Sequence, residues 1–69
     1  MIKPGQLKQQ RADAGLTQVE AAQMVYTSER TWRKWERAMP VGKADKNNYK
    51  ARTELFEYKI KELSDVQMD

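Results

Sequence analysis

The chain has no cysteine and no histidine among its 69 residues. That inventory excludes disulfide staples, thiolate and imidazole metal sites, and catalysis by His or Cys. Long apolar runs are missing too. None approaches the roughly 20 residues of a membrane span, and the N-terminal MIKPGQLKQQ lacks the apolar block of a signal peptide. A soluble cytoplasmic protein with no membrane partner is therefore expected. Repeats and low-complexity segments are absent. Aromatics are few, with two Trp, three Tyr and one Phe. A chain this short stands near the lower limit for a self-sufficient core, so each large apolar side chain should be in use. What cannot be stapled must pack or dimerise. An acidic excess is also lacking: 13 Lys and Arg face 10 Asp and Glu, for a net charge of +3 and a pI near 9.3. So small a surplus points to a polyanion only if it is gathered on one face.

The punctuation that is present divides the chain into helical pieces. A first helix is expected from about Pro4 to Ala14, with Pro4 acceptable in an opening turn and Gly15 placed for a left-handed C-terminal cap. Leu7, Arg11 and Ala14 would share one of its faces. A second begins at Thr17, whose hydroxyl can cap free N–H groups while Glu20 reaches back three residues later. Its core face is Ala21, Ala22 and Val25, small enough for close helix approach. Ser28, another good N-cap, opens a third that should run to about Arg37 before Met39 and Pro40 stop it. Only a short turn, Val25 to Thr27, separates the two. The stretch VGKADKNN reads as a polar linker, and a fourth helix is expected from about Asn48 to Leu63. No strand pattern of any length interrupts this, so the expectation is one all-α domain of four or five helices.

The stretch TSERTWRKWERAMP, Thr27 to Pro40, holds both tryptophans among its cations. At about 100° per residue, Glu29, Arg30, Arg33, Lys34 and Arg37 fall within an arc of roughly 140°. Thr31, Trp32 and Trp35 fall on the other side. In isolation such a helix is most simply a soluble surface helix whose tryptophans fill a core. Its setting adds something: a short helix, a tight turn and a capped helix with a cationic outer face make a helix-turn-helix layout, whose second helix enters the DNA major groove.

At the level of motif, LKQQRADAGLTQVEAAQMVYTSERTWRKWER resembles the Cro/lambda-repressor class of helix-turn-helix regulators over residues 7 to 37 or so. Thr17-Gln18, Ala22, Ser28 and Trp35-Glu36 carry the likeness, each at the spacing of that class. RTWRKWERAMP, followed later by ELFEYKIKEL, is similar to small regulators of phages and mobile elements. That group includes autorepressors of phage anti-defence operons, such as anti-CRISPR-associated proteins. The resemblance implies a lambda-repressor-like fold. It also implies a semi-buried ion pair between Arg11 of the first helix and Glu36 of the third. Two features depart from the class. Tyr26 stands where glycine is usual, which implies a reshaped turn or tolerated strain, because φ > 0 is common there. The loop VGKADKNNYKAR is longer than in close relatives and leaves the docking of the fourth helix open.

Contacts to double-stranded DNA divide into those that position and those that read. Positioning candidates at phosphates are Thr17 and Gln18 at the second helix start, Ser28, Thr31 and Arg37 of the third, and Lys43 and Lys46, with Lys50, further on. Each lysine is equally readable as a solvated surface charge. Base reading would fall to Glu29, Arg30, Arg33 and Lys34. An arginine fork matches guanine O6 and N7, whereas a carboxylate can only accept, so Glu29 would favour the cytosine amino group. Equally, Glu29 is an ordinary acid at a helix N-terminus.

On the fourth helix Tyr49, Phe56, Ile60 and Leu63 form one apolar stripe, and Ala51, Leu55 and Tyr58 another. One closes the core; the other is a candidate homodimer interface that would pair two recognition helices on an inverted repeat. A core wrapped more fully around a broad-faced helix is the alternative. The functional expectation is a dimeric transcriptional repressor that occupies an operator over a promoter, its own or another's. No enzymatic activity, cofactor, metal or small-molecule ligand is expected. The rival is a protein-binding module, an antitoxin or adaptor on the same scaffold, which fold alone does not distinguish.

Overall fold

A computed structural model describes the backbone of residues 1–67 and the side chains of residues 1–63. Four helices follow one another, α1 (Pro4–Asp13), α2 (Gln18–Met24), α3 (Glu29–Arg37) and α4 (Lys43–Gln67), with no strand among the described residues. None of these helices is long and apolar enough to cross a membrane.

Local chemistry explains the starts of the first three and the ends of α1 and α2. Gln6 Oε1 accepts from the Lys3 N–H at the start of α1. The chain leaves α1 through Gly15 at φ 73°, with N–H groups of Gly15 and Leu16 returning to the carbonyls of Ala12 and Arg11. This is a Schellman ending, for which the left-handed position favours glycine. Thr17 Oγ1 accepts from the Glu20 N–H at 3.1 Å and Glu20 Oε1 accepts from the Thr17 N–H at 2.9 Å, closing the capping box of α2. Those bonds to Thr17 hold the Glu20 carboxyl below its ordinary range. Ser28 Oγ caps α3 by accepting from the Thr31 N–H.

The turn between α2 and α3 repeats the Schellman pattern without its glycine. Tyr26 and Thr27 N–H groups bond back to Gln23 and Ala22 carbonyls, and Tyr26 holds φ 60°. Tyr26 thus takes the left-handed conformation that a Cβ disfavours and carries its strain. Lys59 of α4 compensates: its Nζ donates to the Met24 carbonyl at 2.7 Å, satisfying the helix end, and lies 4.6 Å from the Tyr26 ring centroid.

The fourth helix corrects the expected boundary. It begins at Lys43 rather than near Asn48, so most of VGKADKNN is helix and the linker shrinks to residues 38–42. The Lys46 N–H closes the first turn on the Gly42 carbonyl at 2.8 Å, and Asp45 places its charge in that turn, where the helix dipole favours an anion. Asn48, read as a turn former, instead accepts from Arg52 Nε one turn later.

Leu7, Ala21, Ala22, Val25, Trp32, Trp35, Tyr49 and Phe56 form the core. Edge contacts join α3 to α4, with Trp32 to Phe56 at 4.9 Å and Trp35 to Tyr49 at 5.7 Å between ring centroids. Tyr49 also donates its hydroxyl to the Ile2 carbonyl at 2.7 Å, tying down the N-terminal segment. Three positions depart from the expected faces. Ala14 lies past the end of α1 and is exposed; Leu63 is exposed rather than core; Leu55, placed on the outer stripe, packs part-buried against the core. Thr53, between Tyr49 and Phe56 on the inner face, is buried with its hydroxyl on the Lys50 carbonyl.

Candidate nucleic-acid interface

Helix α3 is two-sided because its sequence alternates in helical register. Trp32 and Trp35 are buried, while Glu29, Arg30, Arg33, Lys34 and Arg37 are all exposed. The tryptophans thus fix the rotation of the helix, and the cations follow onto the opposite face.

Behind that face, Glu36 is the junction of the site. Arg11 Nε donates to Glu36 Oε2 at 2.6 Å and Arg11 Nη2 to Oε1 at 3.2 Å, the bidentate geometry of a strong pair. Trp32 Nε1 donates to the same carboxylate, as does Gln18 Nε2 at 3.1 Å. The carboxylate side chain is only 4 % exposed and its arginine partner 16 %. Burial pushes the carboxyl up, but hydrogen bonds from Arg11, Trp32 and Gln18, with the arginine's charge, outweigh it and hold Glu36 below the ordinary carboxylate range. Arg11 Nη1 also donates to the Leu16 carbonyl at 2.9 Å, so one guanidinium ties α1, the turn into α2, and α3 together. The buried acid behind the cationic face is therefore neutralised from inside.

Arg33 is held at its root. Its Nε donates to Gln18 Oε1 at 3.2 Å and lies 3.6 Å from Glu29 Oε2 one turn earlier. Glu29 thus faces Arg33 along the helix, a contact that sequence spacing permits but did not single out. The Gln18 amide, a phosphate candidate, bridges Glu36 and Arg33 instead of standing free, although an amide nitrogen has a second hydrogen to offer. Hydroxyls of Thr17, Ser28 and Thr31 serve the helix caps, with Ser28 Oγ donating to Thr31 Oγ1 at 2.9 Å.

Two grooves flank the cations. Lys8, Gln18, Arg33, Glu36 and Arg37 line the first. Lys8 was not among the sequence candidates, yet its spacing was informative: it lies three residues before Arg11, the α1 residue that reaches α3. Lys34 and Arg37 border the second with Thr31, Asp45 and Asn48. Lys43 and Lys46 line neither groove, but with α4 starting at Lys43 they share a helical face with Lys50, and all three are exposed. Ala51 and Tyr58 are also exposed, whereas Leu55 is part-buried against the margin of the core.

The chain matches no protein-family model, no curated protein and no solved structure. Its chemistry has to be read from the arrangement itself. Exposed guanidinium and ammonium groups on a helix anchored by Trp32 and Trp35, flanked by two open grooves, present a positive surface that an anion can approach.

Proposed function

We propose that this chain is a sequence-specific DNA-binding repressor with a lambda-repressor-like helix-turn-helix core, α2 and α3, acting as a homodimer on an inverted repeat. One observation carries the reading: Arg30, Arg33, Lys34 and Arg37 share the exposed face of a helix whose other face is locked into the core by Trp32 and Trp35. A helix supported in this way can enter a major groove without unfolding its base. Arg30 and Arg33 supply the forks that match guanine, Lys34 a point charge, and Arg37 with Lys8 the flanking contacts to phosphate. Lys43, Lys46 and Lys50 supply a second basic stripe. The neutralisation of Glu36 by Arg11 supports the same reading, because an uncompensated anion at that position would repel the phosphates. Repression by occupancy of a promoter needs nothing further from so small a domain.

The dimer reading is supported by Tyr58, which is 62 % exposed on α4, on the same helical face as the exposed Ala51 about two turns earlier. A two-fold axis would present two copies of α3 to successive major-groove turns. Binding to a random duplex, titrated across salt concentrations, tests the DNA reading. With four cations on the face, log affinity should fall against log salt with a slope of about −3 or steeper. No measurable binding at low salt would instead favour a protein-binding module on the same scaffold.

A further inference from the structure

We infer that Gln18 is a positioning residue for Arg33, fixing its guanidinium so that Arg33 is the specificity-determining side chain of the interface. The inference rests on the DNA-binding reading of α3. It starts from an unbroken chain of hydrogen bonds that runs from the half-buried pair to the surface: Arg11 to Glu36, Gln18 Nε2 to Glu36 Oε1 at 3.1 Å, and Arg33 Nε to Gln18 Oε1 at 3.2 Å.

The polarity of the Gln18 amide follows from its neighbours. Glu36 is a carboxylate and can only accept, so the NH2 end must face it; Arg33 can only donate, so the oxygen must face the guanidinium. The reversed amide would set oxygen against oxygen and N–H against N–H. Both ends of the bridge are therefore charge-assisted. Glu36 in turn cannot turn away, because Arg11 and Trp32 hold it from the other side.

What this does to Arg33 is specific. The hydrogen bond falls on Nε, and the approach of Glu29 Oε2 at 3.6 Å is to the same nitrogen. Among the described residues the two terminal nitrogens have no hydrogen-bonded partner within the chain. They form the fork that fits guanine O6 and N7. An arginine anchored at Nε has surrendered part of its rotamer freedom before DNA arrives, so less is lost on binding. Among the described residues no side-chain hydrogen bond anchors Arg30, Lys34 or Arg37 in this way, which singles out Arg33 among the exposed cations of α3.

Two measurements test the inference. In the free protein, the Arg33 Nε–H signal in nitrogen-edited NMR should exchange slowly with solvent, and Gln18→Ala should speed it. On DNA, the duplex recovered from a random pool and a random duplex are compared for the wild type, Gln18→Ala, Arg33→Ala and the double variant. Gln18→Ala should lower the ratio of the two affinities by about three- to tenfold. It should do so at the same base pair that Arg33→Ala affects, and should have no effect once Arg33 is alanine. Gln18→Glu, which keeps an acceptor for Arg33, should retain more of that ratio than Gln18→Ala even though it sets a second carboxylate against Glu36. Equal weakening of selected and random DNA by Gln18→Ala, or additivity with Arg33→Ala, overturns the inference and leaves DNA reading by α3 intact. A wild type that selects no sequence overturns both.

Discussion

Replacing Arg11 by alanine should destabilise this domain more than any other single change on its surface. The substitution removes three donors at once, two to the Glu36 carboxylate at 2.6 and 3.2 Å and one to the Leu16 carbonyl at 2.9 Å. Removing one member of a buried ion pair costs about 3–5 kcal/mol, because the other charge is left without compensation. Glu36 keeps its bonds from Trp32 and Gln18 and borders an open groove that admits water, so about 2–3 kcal/mol is expected. For a domain of this size that corresponds to a fall in Tm of roughly 10–20 °C, against a total stability of only about 3–10 kcal/mol. Glu36→Gln retains an acceptor for Trp32 and leaves a guanidinium that can reach solvent, and should cost only about 1–2 kcal/mol. The pH dependence follows from the lowered Glu36 carboxyl. A folded-state value below the unfolded 4.5 contributes stability that is fully present above 4.5 and lost as pH falls through the folded value. The gap between wild type and Glu36→Gln should therefore close in acid. Thermal and urea melts followed by circular dichroism at neutral and acid pH measure all of this. An Arg11→Ala protein within about 0.5 kcal/mol of wild type, or a Glu36→Gln gap that ignores pH, would refute the reasoning.

Three further outcomes are expected. Trp35→Ala, which empties a core position between α3 and Tyr49, should cost about 3–5 kcal/mol and leave the domain largely unfolded by circular dichroism; a well-folded variant would mean that the faces of α3 are misassigned. At Tyr26, with φ 60°, the glycine variant should melt above the alanine variant by about 1 kcal/mol, since both lose the Lys59 contact but only alanine keeps the strain. Glu29→Ala should alter preference at the base pair read by Arg33, as expected of a side chain that lies beside Arg33; a change at a separate cytosine would restore Glu29 as a reader in its own right.

The parts of this fold that were legible in the sequence are those held by local chemistry. Thr17 with Glu20, Ser28, and Gly15 each act within a few residues of themselves, so spacing alone located the starts of α2 and α3 and the end of α1 to within a residue. The two faces of α3 were legible for the same reason. The start of α4 was not, because Gly42 and two asparagines look like loop formers while the dipole-favouring Asp45 and the closing bond to Gly42 act in the other direction. Leu55 of the outer stripe is drawn part-way into the core because a helix crossing a small core buries a wider arc than one stripe. Contacts between distant segments left little trace: Lys59 caps α2 from 35 positions away, and the Gln18 bridge spans 15 to Arg33 and 18 to Glu36. Arg11 with Glu36 was anticipated only through family likeness.

Whether α3 reads bases is tested most directly by selecting bound sequences from a random duplex pool with the wild-type protein and with Arg33→Ala. The wild type should enrich an inverted repeat whose half-sites lie a whole number of helical turns apart, about 34–36 Å per turn. Arg33→Ala should lose preference at one G·C pair in each half-site while still binding DNA in a salt-dependent way. Recovery of no enriched sequence by the wild type, or of the same sequence with undiminished preference by Arg33→Ala, would contradict base reading through this face.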